Sequence, residues 1–192
     1  IGLQYITNHS PEEIKELSKF NKPIFYDGKF FDIKNTLVKS IKSLKELNID
    51  YATVHLLNGL NSLKAANKVA EEIGIKLLGV SVLTSFDDEE LDELGFRDNI
   101  QDQVSRLIKI ADKANLYGVI CSPHEVKMIN QIAPKLKCFT PGIRQDGNKN
   151  DQKRTMNAKQ ALEEGSDCLI IGRPITDGDP KKNIQKILSS LN

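Results

Sequence analysis

Directly after the apolar run Pro23-Ile24-Phe25-Tyr26 stands Asp27-Gly28-Lys29-Phe30-Phe31-Asp32. Side chains alternate along a strand, so Asp27 and Lys29 are expected to emerge on one face, at the strand's mouth. A carboxylate and an amine held side by side there are costly to desolvate unless they pair or do chemistry. Asp32 falls beyond the strand, on the loop that leads into the next helix. Taken alone, a D-x-K at a strand end is more often a surface ion pair. The far end of the chain shifts the balance. There, Thr140-Pro141-Gly142-Ile143-Arg144 and Ile171-Gly172-Arg173-Pro174 place two arginines in loops that also follow strands.

These loops need elements to hold them, and one alternation runs the length of the chain. Short runs rich in β-branched and aromatic residues recur at 23–27, 51–55, 76–82, 117–121, 136–140 and 167–171. Amphipathic helical stretches lie at 10–20, 35–48, 59–73, 98–115, 123–132, 155–164 and 179–191. Ser10-Pro11-Glu12-Glu13 opens the first of them with a cap residue, a proline at the first helical position and a capping-box glutamate. Gly74, Gly118 and Gly165 sit where helices end or strands begin. Strands alternating with helices mean a parallel sheet covered by helices, an α/β fold.

Six strands, with a seventh expected in Ile1-Gly2-Leu3-Gln4, fall short of the eight that a closed (β/α)8 barrel requires. The chain begins with Ile1, almost inside a strand. The expectation is a single TIM-barrel domain over residues 1–192 whose first strand, and the start of its second, precede Ile1. An open doubly wound sheet would tolerate any strand number, but it ordinarily carries a Gly-rich loop after strand one, and none occurs here.

Composition narrows the partners. The 192 residues carry 27 Lys and Arg against 26 Asp and Glu, with no Trp, which gives no support to a nucleic-acid or membrane partner. No apolar run reaches membrane-spanning length and no secretory leader is visible, so a cytoplasmic protein is expected. Cys121, Cys138 and Cys168 are odd in number and lie in apolar segments, which suits buried reduced thiols. They lack the C-x-x-C spacing of a metal site, and His9, His55 and His124 lack ligand spacing too.

Barrel enzymes place their chemistry on the loops after strands, with phosphate sites favouring the last two. The Arg144 loop and the Gly172-Arg173-Pro174 turn hold those places. Gly172 allows close backbone approach, Arg173 offers a bidentate fork, and the helix start beyond supplies N–H groups and a positive dipole end. Gln152, in Asp151-Gln152-Lys153-Arg154, adds an amide donor. The bland alternative makes Arg173 a strand cap and residues 151–154 a solvated charge run. Three donors converging on the expected phosphate corner favour the functional reading.

Taken together, these motifs resemble the orotidine 5′-phosphate decarboxylase family over essentially the whole chain. The family's D-x-K-x-x-D stands as Asp27, Lys29 and Asp32, followed by Ile33 and Asn35-Thr36. Its T-P-G-I-R is Thr140 to Arg144, its D-Q-K-R is Asp151 to Arg154, and its G-R-P-I-T is Gly172 to Thr176. Val82-Leu83-Thr84-Ser85 looks like its V-L-T-S segment, with Thr84 expected at the pyrimidine. Three positions depart from the pattern: Gly28 replaces a common leucine, Phe31 a histidine and Lys34 a proline. A ribose-binding aspartate and a further active-site lysine have no counterpart, and are expected to precede Ile1.

The resemblance implies decarboxylation of orotidylate to UMP without cofactor or metal. Lys29, Asp27 and Asp32 would be catalytic. Asp27 to Thr36 (Asp27, Gly28, Lys29, Phe30, Phe31, Asp32, Ile33, Lys34, Asn35, Thr36), with Thr84, Arg144, Gln152, Gly172 and Arg173, would bind substrate. Asp32 would reach the neighbouring subunit's site, which implies a homodimer with shared sites. Two rivals are weighed against this. A Mg2+-dependent sugar-phosphate lyase or decarboxylase of the same barrel group needs further strand-borne carboxylates, whereas the strand ends here offer His55, Thr84 and Ser122. A non-catalytic nucleotide-phosphate binding homologue would have no need of intact Asp27, Lys29 and Asp32.

Overall fold

A computed structural model describes residues 1–144 and 154–191. In chain order the elements are α1 (Leu3–Asn8), α2 (Pro11–Glu16), β1 (Phe25–Phe30), α3 (Lys34–Ser43), β2 (Tyr51–His55), α4 (Leu60–Glu72), β3 (Lys76–Val80) and α5 (Asp88–Glu93). There follow α6 (Ile100–Lys113), β4 (Gly118–Ile120), α7 (Val126–Ile132), β5 (Lys137–Thr140), α8 (Ala158–Glu163), β6 (Cys168–Leu169), α9 (Arg173–Thr176) and α10 (Pro180–Ser189). The fold is parallel α/β. Two compact units are distinguished, Ile1–Ser81 with Lys109–Gly118, and Val82–Ile108 with Val119–Asn192.

In the first unit β1, β2 and β3 lie side by side and parallel. Strand β2 is buried on both faces at its centre, at Ala52, Thr53 and Val54, as a strand covered on two sides is. Ala52 and Val54, together with Leu37 and Ile41 of α3, Leu63 and Ala66 of α4, and Leu77 and Leu78 of β3, are fully buried. Each such Leu or Ile contributes about 1.5–3 kcal/mol relative to an exposed side chain. Gly79 of β3 is required by this packing. A Cβ there would stand 2.4 Å from Leu56 Cδ2 and 2.9 Å from Leu116 Cδ1.

In the second unit β5 pairs in parallel with β6, at Phe139 with Cys168 and Thr140 with Leu169. Its core joins Ile143, Ala158, Ala161 and Ile187, with Met156, Leu169, Ile171 and Ile175 packed against them. This core anchors both arginine loops, because Ile143 adjoins Arg144 and Ile171 and Ile175 flank Arg173.

Local signals are realised where they were strong. Ser10 accepts from the Glu13 N–H while the Glu13 carboxylate accepts from the Ser10 N–H, closing the capping box. Gly74 and Gly165 take left-handed φ values of 79° and 99° just past α4 and α8.

The expected strand at Ile1–Gln4 is corrected. Only Gly2 makes a parallel bridge, to Asp27, and Leu3–Asn8 is helical. Four residues of weak alternation cannot separate strand from helix, and His9 Nδ1 lies 2.9 Å from the Tyr5 carbonyl, closing the helical turn. Helix α5 lies between expected elements. Its Asp87 accepts from the Glu90 N–H in a second capping box, a signal that was present in the sequence.

Candidate active site

The first unit carries the acid–amine pair. Strand β1 is irregular there: Tyr26 pairs with Ala52 and Phe30 with Val54, so β1 advances four residues while β2 advances two. The bulge places Lys29 in the left-handed region at φ 44°. The other three described non-glycine residues with positive φ are asparagines, which tolerate it. For lysine the conformation costs about 1–3 kcal/mol, a strain that marks functional sites when surroundings over-determine it.

Those surroundings are specific. Lys29 Nζ donates to Asp27 Oδ2 at 2.7 Å. Thr53, at the centre of β2, donates its hydroxyl to Asp27 Oδ1 at 2.9 Å and accepts the Lys29 backbone N–H at 2.8 Å. Asp27 and Lys29 therefore meet, but through a bulge and not through the regular alternation expected of the strand. Both side chains are about one-third exposed or less, so the pair is accessible to a ligand without being fully solvated.

Gly28 has its own reason to be glycine. A Cβ would lie 2.8 Å from Tyr26 Cε1 and 3.3 Å from Phe30 Cε2. Those two rings stack with centroids 5.8 Å apart. A leucine on this backbone would collide with them, so glycine and the ring pair go together.

Asn58 holds the loop beyond. Its side chain donates to the Phe30 and His55 carbonyls and accepts the Asp32 N–H. Asp32 in turn accepts the Ile33 N–H, and α3 starts at Lys34. Proline favours that first helical position because its fixed φ suits it, but lysine is also compatible. Asn35 and Thr36 lie exposed in the first turn of α3. His55 accepts the Leu57 N–H through Nδ1, and its ring faces Phe31 at 5.6 Å. Burial, then the Lys29 charge, hold its pKa below the ordinary histidine value, so the imidazole beside Lys29 is neutral at neutral pH.

The second unit carries Thr84, Arg144, Gly172 and Arg173. Thr84 is buried in the turn after β3, where the Phe86 N–H donates to the Leu83 carbonyl. Arg144 is fixed at its backbone. Its N–H donates to the Met156 carbonyl and the Met156 N–H to Gly142, which bridges Ile143 with Met156. Its Nη1 also donates to the Ile143 carbonyl. Gly172 caps α9, with open space where a Cβ would stand, and Arg173 is its exposed first residue. At four residues α9 is a single turn, so the dipole expected there is weaker than that of a full helix. Gln152, Asp151 and Lys153 lie outside the described residues.

Arg154 is no solvated charge. Its guanidinium pairs with Glu125 and donates to the carbonyls of Val82 and Leu83, at 3.3 and 3.1 Å. Glu125 is itself buried and accepts the Ser122 N–H. Burial pushes its carboxyl pKa up, against the opposing pull of Arg154. Arg154 thereby braces the backbone leading into Thr84. The Cys121 thiol is pushed well up by its hydrogen bond with Cys138 and by burial, so it is no nucleophile. Among the described residues no three His, Cys, Asp or Glu side chains gather as a metal ion would require.

Neither Thr53 nor the Glu125–Arg154 pair stood out in the sequence. For Thr53, a hydroxyl between the apolar Ala52 and Val54 at the centre of a strand was the available signal.

Known proteins share this layout. Residues 1–187 match the model of the orotidine 5′-phosphate decarboxylase / HUMPS family. Orotidine 5′-phosphate decarboxylase of Wolbachia pipientis subsp. Culex pipiens is 40% identical over 193 residues, spanning 100% of this chain and 85% of that one. That of Ehrlichia canis is 42% identical over 195 residues, again spanning 100% and 85%. The crystal structure of orotidine 5′-phosphate decarboxylase from Lactobacillus acidophilus superimposes with a TM-score of 0.86 at 35% identity, covering 100% of this chain and 85% of that chain. With the family model matching residues 1–187 of the chain and relatives near 40% identity, the chain belongs to the orotidine 5′-phosphate decarboxylase / HUMPS family.

Proposed function

We infer that this chain decarboxylates orotidine 5′-monophosphate to UMP, the closing step of UMP synthesis, without a cofactor. The observation that carries the reading is the Asp27–Lys29 contact of 2.7 Å on a strained, bulged strand end. Asp27 would face the substrate carboxylate, a like-charge contact relieved as the bond from C6 to the carboxyl carbon breaks and CO2 leaves. The electron pair stays on C6. Lys29 stabilises that carbanion electrostatically and then transfers an Nζ proton to it, regaining a proton from solvent. Thr84 would contact the pyrimidine, and Arg144, Gln152 and Arg173 the 5′-phosphate. The remaining residues from Gly28 to Thr36, with Gly172, would line the site.

The finer architecture belongs to the same proposal: one (β/α)8 barrel domain, supported by parallel strands and βα alternation within both units. So does the cytoplasm as its place of action, supported by three free cysteines and by the lack of any described helix long and apolar enough to cross a membrane. Orotidylate absorbance should fall on incubation with the enzyme, and the rate should survive exhaustive EDTA treatment. Loss of the rate to EDTA would instead indicate Mg2+-dependent enediolate chemistry. Nucleotide binding without CO2 release would indicate a non-catalytic homologue.

The proposal includes a homodimer in which Asp32 serves the neighbour's site. Phe31 and Ile33 flank that residue, Leu57 precedes the Asn58 that accepts its N–H, and the three are 62%, 74% and 42% exposed, apolar side chains suited to cover by a second copy. Chains carrying Lys29→Ala and Asp32→Asn, each nearly inactive alone, should complement one another when mixed. About a quarter of wild-type activity is expected, since half the dimers are hybrids and one of their two sites is intact. No recovery, with subunit exchange confirmed by mass spectrometry, would rule out shared sites.

A further inference from the structure

We propose that Thr53 is the positioning residue that sets the geometry between Asp27 and Lys29, an inference that rests on the decarboxylase reading. Thr53 is fully buried, so its hydroxyl must find partners inside the protein. Both partners belong to the acid–amine pair. Oγ1 donates to Asp27 Oδ1 at 2.9 Å and accepts the Lys29 N–H at 2.8 Å.

The bulge explains why a side chain is needed there. Thr53 sits between the Ala52 and Val54 register positions, opposite the stretch of β1 where Asp27, Gly28 and Lys29 outnumber it. A regular ladder would satisfy the Lys29 N–H with a strand carbonyl. With Lys29 turned to φ 44°, the hydroxyl of Thr53 takes that role. The same oxygen, through its own proton, holds one oxygen of Asp27 while the other oxygen accepts from Lys29 Nζ. One hydroxyl thus ties the backbone of the amine to the side chain of the acid. On its other edge β2 pairs regularly with β3, Thr53 opposite Leu78, so the oxygen is carried on a rigid support. Thr53 itself need touch no substrate atom.

The test compares Thr53→Ser, Thr53→Ala and Thr53→Val in the full chain. Serine and alanine lose the same methyl and differ in the hydroxyl, while valine keeps the shape without the hydroxyl. Steady-state decarboxylation, UMP affinity by calorimetry and hydrogen exchange at the Lys29 amide are measured on each. Alanine and valine should lower kcat by about 100-fold, as misplaced catalytic groups do, with UMP affinity little changed and the Lys29 amide deprotected. Serine should recover most of kcat and the protection.

Equal kcat for the serine and alanine variants would overturn the proposal, as would a valine variant with wild-type kcat. Parallel loss of kcat, UMP affinity and melting temperature in all three would also overturn it, since that is the mark of a merely structural residue. A wild-type chain without orotidylate turnover would refute the decarboxylase reading instead. The Lys29 amide exchange would then still decide whether Thr53 holds that backbone.

Discussion

Replacing Lys29 by alanine is expected to lower orotidylate turnover by at least about 10⁴-fold while the fold survives, because in the proposed mechanism one side chain supplies both carbanion stabilisation and the proton. No described side chain offers a second amine at Asp27, whose two carboxylate oxygens are engaged by Lys29 and Thr53. The variant leaves Asp27 facing the substrate carboxylate without its cation, so ground-state repulsion grows as transition-state stabilisation is lost. The fold should tolerate the change, since Lys29 bonds β2 through its backbone N–H and lies outside the buried core. Alanine at a left-handed position adds a strain similar to that lysine already bears. The measurement is the decay of orotidylate absorbance, with circular dichroism as the control for folding. Turnover within tenfold of wild type would refute the mechanism.

Arg173→Ala should weaken UMP binding by about 2–5 kcal/mol, the range for removing one partner of a hydrogen-bonded charge pair that binding desolvates. Desolvation on binding is what gives the pair this strength, because Arg173 is exposed at the start of α9 in the free protein and exposed pairs contribute little. Its backbone is nonetheless set. Ile171 and Ile175 pack into the core on either side, and the Ile175 N–H donates to the Gly172 carbonyl at 2.8 Å. A guanidinium on such a base can meet a phosphate with two parallel N–H groups, and lysine could supply only a point charge. Calorimetry with UMP and with uridine separates the phosphate from the nucleoside. Uridine affinity should be untouched, so equal losses for both ligands would sink the assignment. In turnover the change should chiefly raise KM, with a fall in kcat as well if phosphate binding drives closure of the site.

What the sequence determined by itself is the local part of this protein. Helix starts such as Ser10-Pro11-Glu12-Glu13 and left-handed stops such as Gly74 and Gly165 are decided by neighbours a few residues away. The order of strands and helices follows the same near-neighbour periodicities, and so does the placing of Asp27, Lys29, Arg144 and Arg173 at strand ends. Ile1–Gln4 carried too short a pattern to choose between strand and helix. The choice fell to a single bridge at Gly2 and to helical hydrogen bonding beyond it.

Tertiary structure alone decided how the groups at those ends are held. Asp27 and Lys29 lie two residues apart, yet their geometry is set by Thr53, 24 to 26 positions away, across a bulge no periodicity announces. Arg154 belongs to the Asp151-Gln152-Lys153-Arg154 motif, whose bland alternative was a solvated charge run, and it is largely withdrawn from solvent because Glu125 and the carbonyls of Val82 and Leu83, from 29 to 72 positions away, receive it. A hydroxyl or guanidinium withdrawn from solvent bonds where the folded chain brings partners, as the Thr53 hydroxyl and the Arg154 Nη groups do. Those partners are neighbours in space that sequence distance does not encode.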